Sequence, residues 1–203
     1  ALAGKDLDKK NPEIVMQVNS AAAWNSRGDG VPSGNEYDLQ SVFLHEIGHG
    51  LGFLSNDAYD PFFGLGSLDQ PTPFDAYLQT SDGRRLADLP TPSKELGVAL
   101  TSSLVWTGAN AVKANGGVKP KMYTPARYES GSSTSHLDEA TFSTAGIDSV
   151  MTPSLDPGEI FKEPGPLLLA MMEDLRSKPP AGIATDLPQS PRNAQAFIGD
   201  SSA

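Results

Sequence analysis

The chain contains no cysteine. That excludes a disulfide framework, a thiolate nucleophile and any cysteine-based zinc or iron–sulfur site. Histidine is nearly absent as well, with three in 203 residues, so a site built on imidazole has few residues to draw on. No apolar run approaches the ~18–20 residues needed to span a bilayer, the longest being 167–172. Basic residues are in deficit, 15 Lys and Arg against 25 Asp and Glu, for a formal net charge of −10. Nucleic acid and anionic membrane surfaces both require a basic face, so neither is expected as a partner. Residues 1–6 are not a basic segment leading into an apolar run, as a secretory signal would be. What remains is an acidic chain, 38% hydrophobic, rich in loop formers with 20 Gly and 17 Pro, and long enough for one domain with a sizeable core.

Local patterns divide the chain into few regular elements. Residues 14–19 (Ile-Val-Met-Gln-Val-Asn) are rich in β-branched side chains and read as a strand. Residues 25–37 are turn formers almost throughout. Asp38 then reads as the N-cap of a helix over 39–50, with Val42, His45 and His49 on one stripe, and with Gly50 and Gly52 ending it. Residues 55–73 return to loop chemistry, and 74–80 with 84–89 flank Ser81-Asp82-Gly83 as a hairpin. Ser93 caps a short helix to Leu100, a strand is expected over 104–106, and a further short helix over 110–114. Residues 124–135 read as loop. Pro166 opens a helix over 167–176, and from Lys178 onward the Pro, Ala, Gly, Ser and Gln content reads as a poorly ordered tail.

The informative stretch is His45-Glu46-Ile47-Gly48-His49. Two histidines four apart on a helix project from one side, one turn apart, so both rings can reach a single ion at ~2.0–2.1 Å. Glu46, beside the first ligand, is placed to act as general base on a water activated by that ion. An exposed helix carrying the same pattern would be flanked by polar residues. Here Val42-Phe43-Leu44 precede and Leu51-Gly52-Phe53 follow, which places the histidines in apolar surroundings. A catalytic zinc takes three protein ligands and keeps one position open. The remaining histidine, His136, lies far downstream in Ser133-Thr134-Ser135-His136, followed by a compact turn, Ser149-Val150-Met151-Thr152-Pro153.

Gly52, three residues after the second histidine, together with the turn at Met151, resembles the metzincin clan of zinc endopeptidases. Metzincins usually carry a third ligand three residues after that glycine. The residue there is Ser55, which cannot ligate zinc in that role. The departure is similar to the leishmanolysin-like branch, where a long insertion separates the glycine from a distant third histidine. The resemblance spans about 14–175 and is carried by 44–53, 132–136 and 150–153.

It implies an α+β fold: a small mixed sheet with the active-site helix, then a loop-rich C-terminal subdomain with the Met-turn and a C-terminal helix. The corresponding division is 1–54, 55–177 and a tail over 178–203, with further strands expected upstream of residue 1. It further implies that His45, His49 and His136 hold Zn2+, that Glu46 is the catalytic base, and that Met151 floors the site. The strand over 14–19, with Met16 and Val18, becomes the edge along which an extended peptide pairs. Thr152 and Pro153 become part of the pocket for the residue after the scissile bond. The substrate is then protein or peptide, and the enzyme is secreted; oligomeric state has no signature in these residues. A Ca2+ site at Asp57 and Asp60 is a further expectation, although acidic loops are commonly just solvated.

Two alternatives stay open at this level. A thermolysin-like protease would take a carboxylate third ligand, from Glu95 or Glu139. A metal-stabilised binding module would use the histidines without turnover. Phe53 and Trp106 are assigned no chemistry.

Overall fold

The computed structural model describes residues 9–12, 14–27, 31–142 and 146–177. The expected tail over 178–203 lies outside them. Asp38 fixes where the first helix begins. Its carboxylate accepts from Ser41 N at 3.0 Å and Ser41 Oγ at 2.6 Å, satisfying an amide that the helix itself cannot pair. The helix α1 runs Leu39–Gly50, and Phe161 N donates to Ser41 Oγ at 2.6 Å, tying its first turn to the C-terminal half of the chain. Gly52 ends the element at φ 111°, a left-handed conformation that only glycine adopts without strain. That reversal delivers Phe53 straight into the core, where it is fully buried.

The strands are short and come in three separate pairs among the described residues. β1 (Trp24–Asn25) lies parallel to β2 (Tyr37–Asp38) just before α1. β3 (Ala58–Asp60) pairs antiparallel with β4 (Leu65–Ser67), and β5 (Leu78–Thr80) with β6 (Leu104–Trp106). The architecture is therefore mixed α and β with small sheets, not one mixed sheet. The expected strand over 14–19 does not form. A strand requires a pairing partner, and residues 14–19 join none of the described pairs; Ile14 instead packs over Gly50, where an added Cβ would stand 2.8 Å from its side chain. The loop expected over 55–73 holds β3 and β4. The hairpin around Asp82 closes through Thr80 N to Arg84 O at 2.9 Å. Its second arm then coils into a 3-10 turn, Leu86–Asp88, and β6 becomes the main partner of β5.

Four further helices follow among the described residues, one of them from its expected side-chain cap. α2 (Lys94–Leu100) starts at Ser93, whose hydroxyl accepts from Leu96 N at 3.0 Å. It lies almost backbone to backbone on β4, since a Cβ on Gly66 would stand 2.7 Å from Gly97 N. α3 spans Ala109–Ala114, and α4, one turn over Glu139–Phe142, precedes the expected Met-turn. α5 (Gly165–Arg176) has Pro166 in its first turn, where the missing N–H costs nothing.

α5 closes the core from below. Buried Asp174 on it accepts from Trp106 Nε1 at 3.0 Å, Asn110 N at 3.0 Å and Ala111 N at 3.1 Å, so one carboxylate caps α3 and anchors the indole. Phe53, Phe74, Tyr77 and Trp106 pack as one aromatic group, with Phe53–Phe74 and Tyr77–Trp106 centroids 4.8 and 4.9 Å apart. Phe53 and Trp106 are thus core residues. The cluster holds the end of α1 against the later half of the chain.

Candidate metal centre

His45 and His49 sit one turn apart on α1, and residues 132–137 bring His136 to meet them. That segment is clamped on both sides. Thr134 N donates to Tyr123 O at 2.7 Å, Tyr123 N to His136 O at 2.8 Å, and Leu137 N to Met151 O at 2.8 Å. The three Nε2 atoms converge, with His45–His49 at 3.0 Å, His49–His136 at 3.2 Å and His45–His136 at 3.3 Å. Two nitrogens held ~2.05 Å from one ion at the tetrahedral angle stand about 3.3 Å apart. The observed triangle matches that span closely.

The opposite ring nitrogens explain why the lone pairs point inward. His45 Nδ1 bonds Val150 O at 2.7 Å, His49 Nδ1 bonds Phe53 O at 2.7 Å, and His136 Nδ1 bonds Ser132 O at 2.8 Å. A carbonyl oxygen only accepts, so each Nδ1 carries the proton and each neutral ring presents Nε2 as a bare acceptor. Three acceptors facing one another repel unless a cation or a proton lies between them. Carbonyl partners on the far nitrogen are what orient metal-binding imidazoles.

Burial reinforces the neutral form. It lowers the pKa of all three rings: His49 falls to about 3, with the neighbouring His45 adding to the effect, and His136 falls well below its ordinary range, helped by both neighbours. Neutral imidazole is the metal-binding form. His45, His49 and His136 could therefore hold a metal ion, and among the described residues they are the one such group.

Glu46 completes the arrangement. Burial pushes its carboxyl up to about 7, and Oε2 is buried with no hydrogen-bond partner among the described residues. A buried, unpaired carboxylate oxygen is costly and persists where it has chemistry to perform. Met151, fully buried in the 3-10 turn Ser149–Met151, lies under α1, and a Cβ on Gly48 would come within 2.7 Å of its Sδ. Gly48 thus leaves the space that lets the turn approach between the two ligands.

The other expected residues fall out as follows. Thr152 is buried, with its hydroxyl donating to Ser149 O at 2.8 Å, and Pro153 is half-buried beside it. Met16 and Val18 lie on an exposed stretch that pairs with nothing in a ladder, so no sheet edge is offered there. Glu95 bonds Arg84, and Glu139 accepts from Ser154 N at 3.3 Å; neither joins the histidines, so the third imidazole and not a carboxylate completes the group. Asp57 and Asp60 form no donor cluster for calcium among the described residues. Asp60 Oδ1 accepts from Phe62 N at 2.9 Å, and Asp57 is taken up by Tyr128 and Thr134.

Supports around the third ligand left no trace as a motif. Ser55 N donates to Ser135 Oγ at 3.0 Å, and the Ser55 hydroxyl donates to fully buried Asp75 at 2.6 Å. The position that cannot ligate instead braces the loop carrying His136. Thr134 has φ 66°, a left-handed conformation costing a β-branched residue on the order of 1–3 kcal/mol, so its surroundings must hold it there. No helix among the described residues is long and apolar enough to cross a membrane. No family model, curated protein or solved structure matches this chain.

Proposed function

We propose that this protein is a zinc endopeptidase of the metzincin type, with the leishmanolysin-like arrangement of a distant third histidine. The observation that carries the reading is the three-way meeting of unprotonated Nε2 atoms 3.0–3.3 Å apart, each ring held by a backbone carbonyl on its other nitrogen. The buried, unpaired Oε2 of Glu46, next in sequence to the first of these histidines, supplies the second component. Closed structural zinc sites use four protein ligands; three imidazoles with a free carboxylate fit a site that keeps a position open.

Bound there, zinc supplies a Lewis acid that lowers the pKa of water to about 7 and draws charge from a peptide carbonyl. His45, His49 and His136 fix its position. Glu46 Oε2 accepts the proton of the attacking water as oxygen bonds to the carbonyl carbon, then delivers that proton to the amide nitrogen as the C–N bond breaks. A carboxyl held near 7 by burial is matched to both halves of that transfer. The proposed substrate is polypeptide. Secretion belongs to the same proposal and rests on the resemblance of the motifs.

Casein or gelatin digestion tests the reading directly. Digestion is expected to stop with a zinc chelator and resume on added zinc. Glu46→Gln should retain zinc while losing about 10²–10⁴-fold in rate. A Glu46→Gln variant that digests like the parent ends the proposal; zinc binding without any digestion leaves a binding module in its place.

A further inference from the structure

His136 reaches the site from a loop, not a helix, and its placement depends on the backbone two residues upstream. There Thr134 sits at φ 66°, fully buried, with its hydroxyl donating to Asp57 Oδ1. The other carboxylate oxygen, Oδ2, accepts from Tyr128 OH at 2.9 Å. Asp57 therefore holds both arms of the loop, at 128 and at 134. The same strand entry reaches the loop again through Ser55 N and Ser135 Oγ at 3.0 Å. Tyr128 is steadied in turn against Tyr59, centroids 5.2 Å apart and planes 25° from parallel. A left-handed β-branched residue relaxes to an ordinary conformation unless something opposes it, and relaxing Thr134 would swing His136 away from the other two rings.

We propose that Asp57 is a positioning residue for the metal centre: its carboxylate pins Thr134 and Tyr128 so that His136 Nε2 arrives within bonding reach of the ion held by His45 and His49. The proposal rests on the metal-centre reading. It gives Asp57 an outer role, one hydrogen bond and two residues of backbone from the ligand His136, in place of the calcium site its sequence context suggested.

Zinc affinity, measured by competition with a chromophoric chelator on the full chain, provides the test. Asp57→Ala should weaken zinc binding by about 10–100-fold, the range for lost outer-shell partners. Glycine adopts the left-handed conformation freely, so Thr134→Gly has no strain for Asp57 to oppose, and adding Asp57→Ala to it should cost less affinity than adding it to the parent. Asp57→Asn, which keeps one acceptor oxygen, should recover part of the affinity.

The decisive readout is a double-mutant cycle. If Asp57 acts through His136, adding Asp57→Ala to His136→Ala should change affinity by no more than about twofold, whereas adding it to His45→Ala should cost its full factor. Co2+ loading gives an independent signature, with the intense visible bands of a tetrahedral ion weakening in Asp57→Ala. The proposal is overturned if Asp57→Ala binds zinc like the parent, if it costs as much in Thr134→Gly as in the parent, or if it costs as much without His136 as with it. A parent that takes up no zinc removes the metal-centre reading and this inference with it. A zinc-binding parent indifferent to Asp57→Ala removes this inference alone.

Discussion

Removing the metal should leave three buried histidines that weaken the fold in mild acid. In the unfolded chain they titrate near 6.5, while burial lowers the folded rings, His49 to about 3 and His136 well below its ordinary range. Below about pH 6.5 the unfolded chain therefore binds more protons on these rings than the folded state does, and their contribution to stability drops as pH drops. Between pH 7.5 and 5.5 each ring that stays neutral costs about 1.4 kcal/mol. One proton can be shared as an Nε2–H···Nε2 hydrogen bond between His45 and His49, which are 3.0 Å apart, so two rings, not three, refuse protonation outright. The two rings then cost about 3 kcal/mol, opposed over the same range by the carboxyls of Glu46 and Asp75, which burial raises to about 7 and about 6 and which take up protons in the folded state. Thermal melts of chelator-treated parent and His136→Gln across this range isolate the histidine part. His136→Gln removes one refusing ring and should shed about 1.4 kcal/mol of the decline. Carboxylates titrate alike in both proteins and drop out of the difference. The reasoning fails if the melting temperature of His136→Gln follows pH from 7.5 to 5.5 with the same slope as the parent.

Two predictions address the scaffold. Asp174→Ala strands the Trp106 indole N–H and the amides of Asn110 and Ala111 in the interior; at about 1–3 kcal/mol per buried unsatisfied donor, partly relieved by entering water, it should cost about 4 kcal/mol in urea denaturation. A loss under about 1 kcal/mol would mean that the carboxylate is not what caps α3. Gly97→Ala puts a methyl group into the carbonyl oxygen of Gly64, where α2 lies on β4. Because the obstacle is backbone, α2 must shift, and the urea midpoint should fall by the equivalent of about 1–3 kcal/mol; an unchanged midpoint would show that the two backbones can part without cost.

The elements that sequence revealed are those whose cause is local. Asp38 and Ser93 cap α1 and α2 through their own side chains, and Pro166 opens α5 by its ring. The two-ligand spacing of His45 and His49 follows from helical pitch alone. Elements settled by distant partners were not visible. β3 and β4 read as loop because Asp57, Asp60, Pro61, Gly64 and Gly66 are turn formers, and they pair under a helix that packs on Gly66. Residues 14–19 have strand composition, yet composition does not supply an edge to pair with. Around the metal centre the orienting groups are the carbonyls of Phe53, Ser132 and Val150. Every residue type has one, so no sequence pattern betrays them. Ser55 and Asp57 were noticed for reasons unrelated to the braces they form.

The third imidazole lies 87 residues beyond His49 and 91 beyond His45. An ion gripped by all three would tie those distant stretches together, doing in a cysteine-free chain the work that a covalent bridge does elsewhere. Closing a ring of that size costs an unfolded chain on the order of 4 kcal/mol in lost freedom, before any constant term. Chelation would then cut a reversible link between these stretches, and the fold would be firmer wherever the metal is in supply.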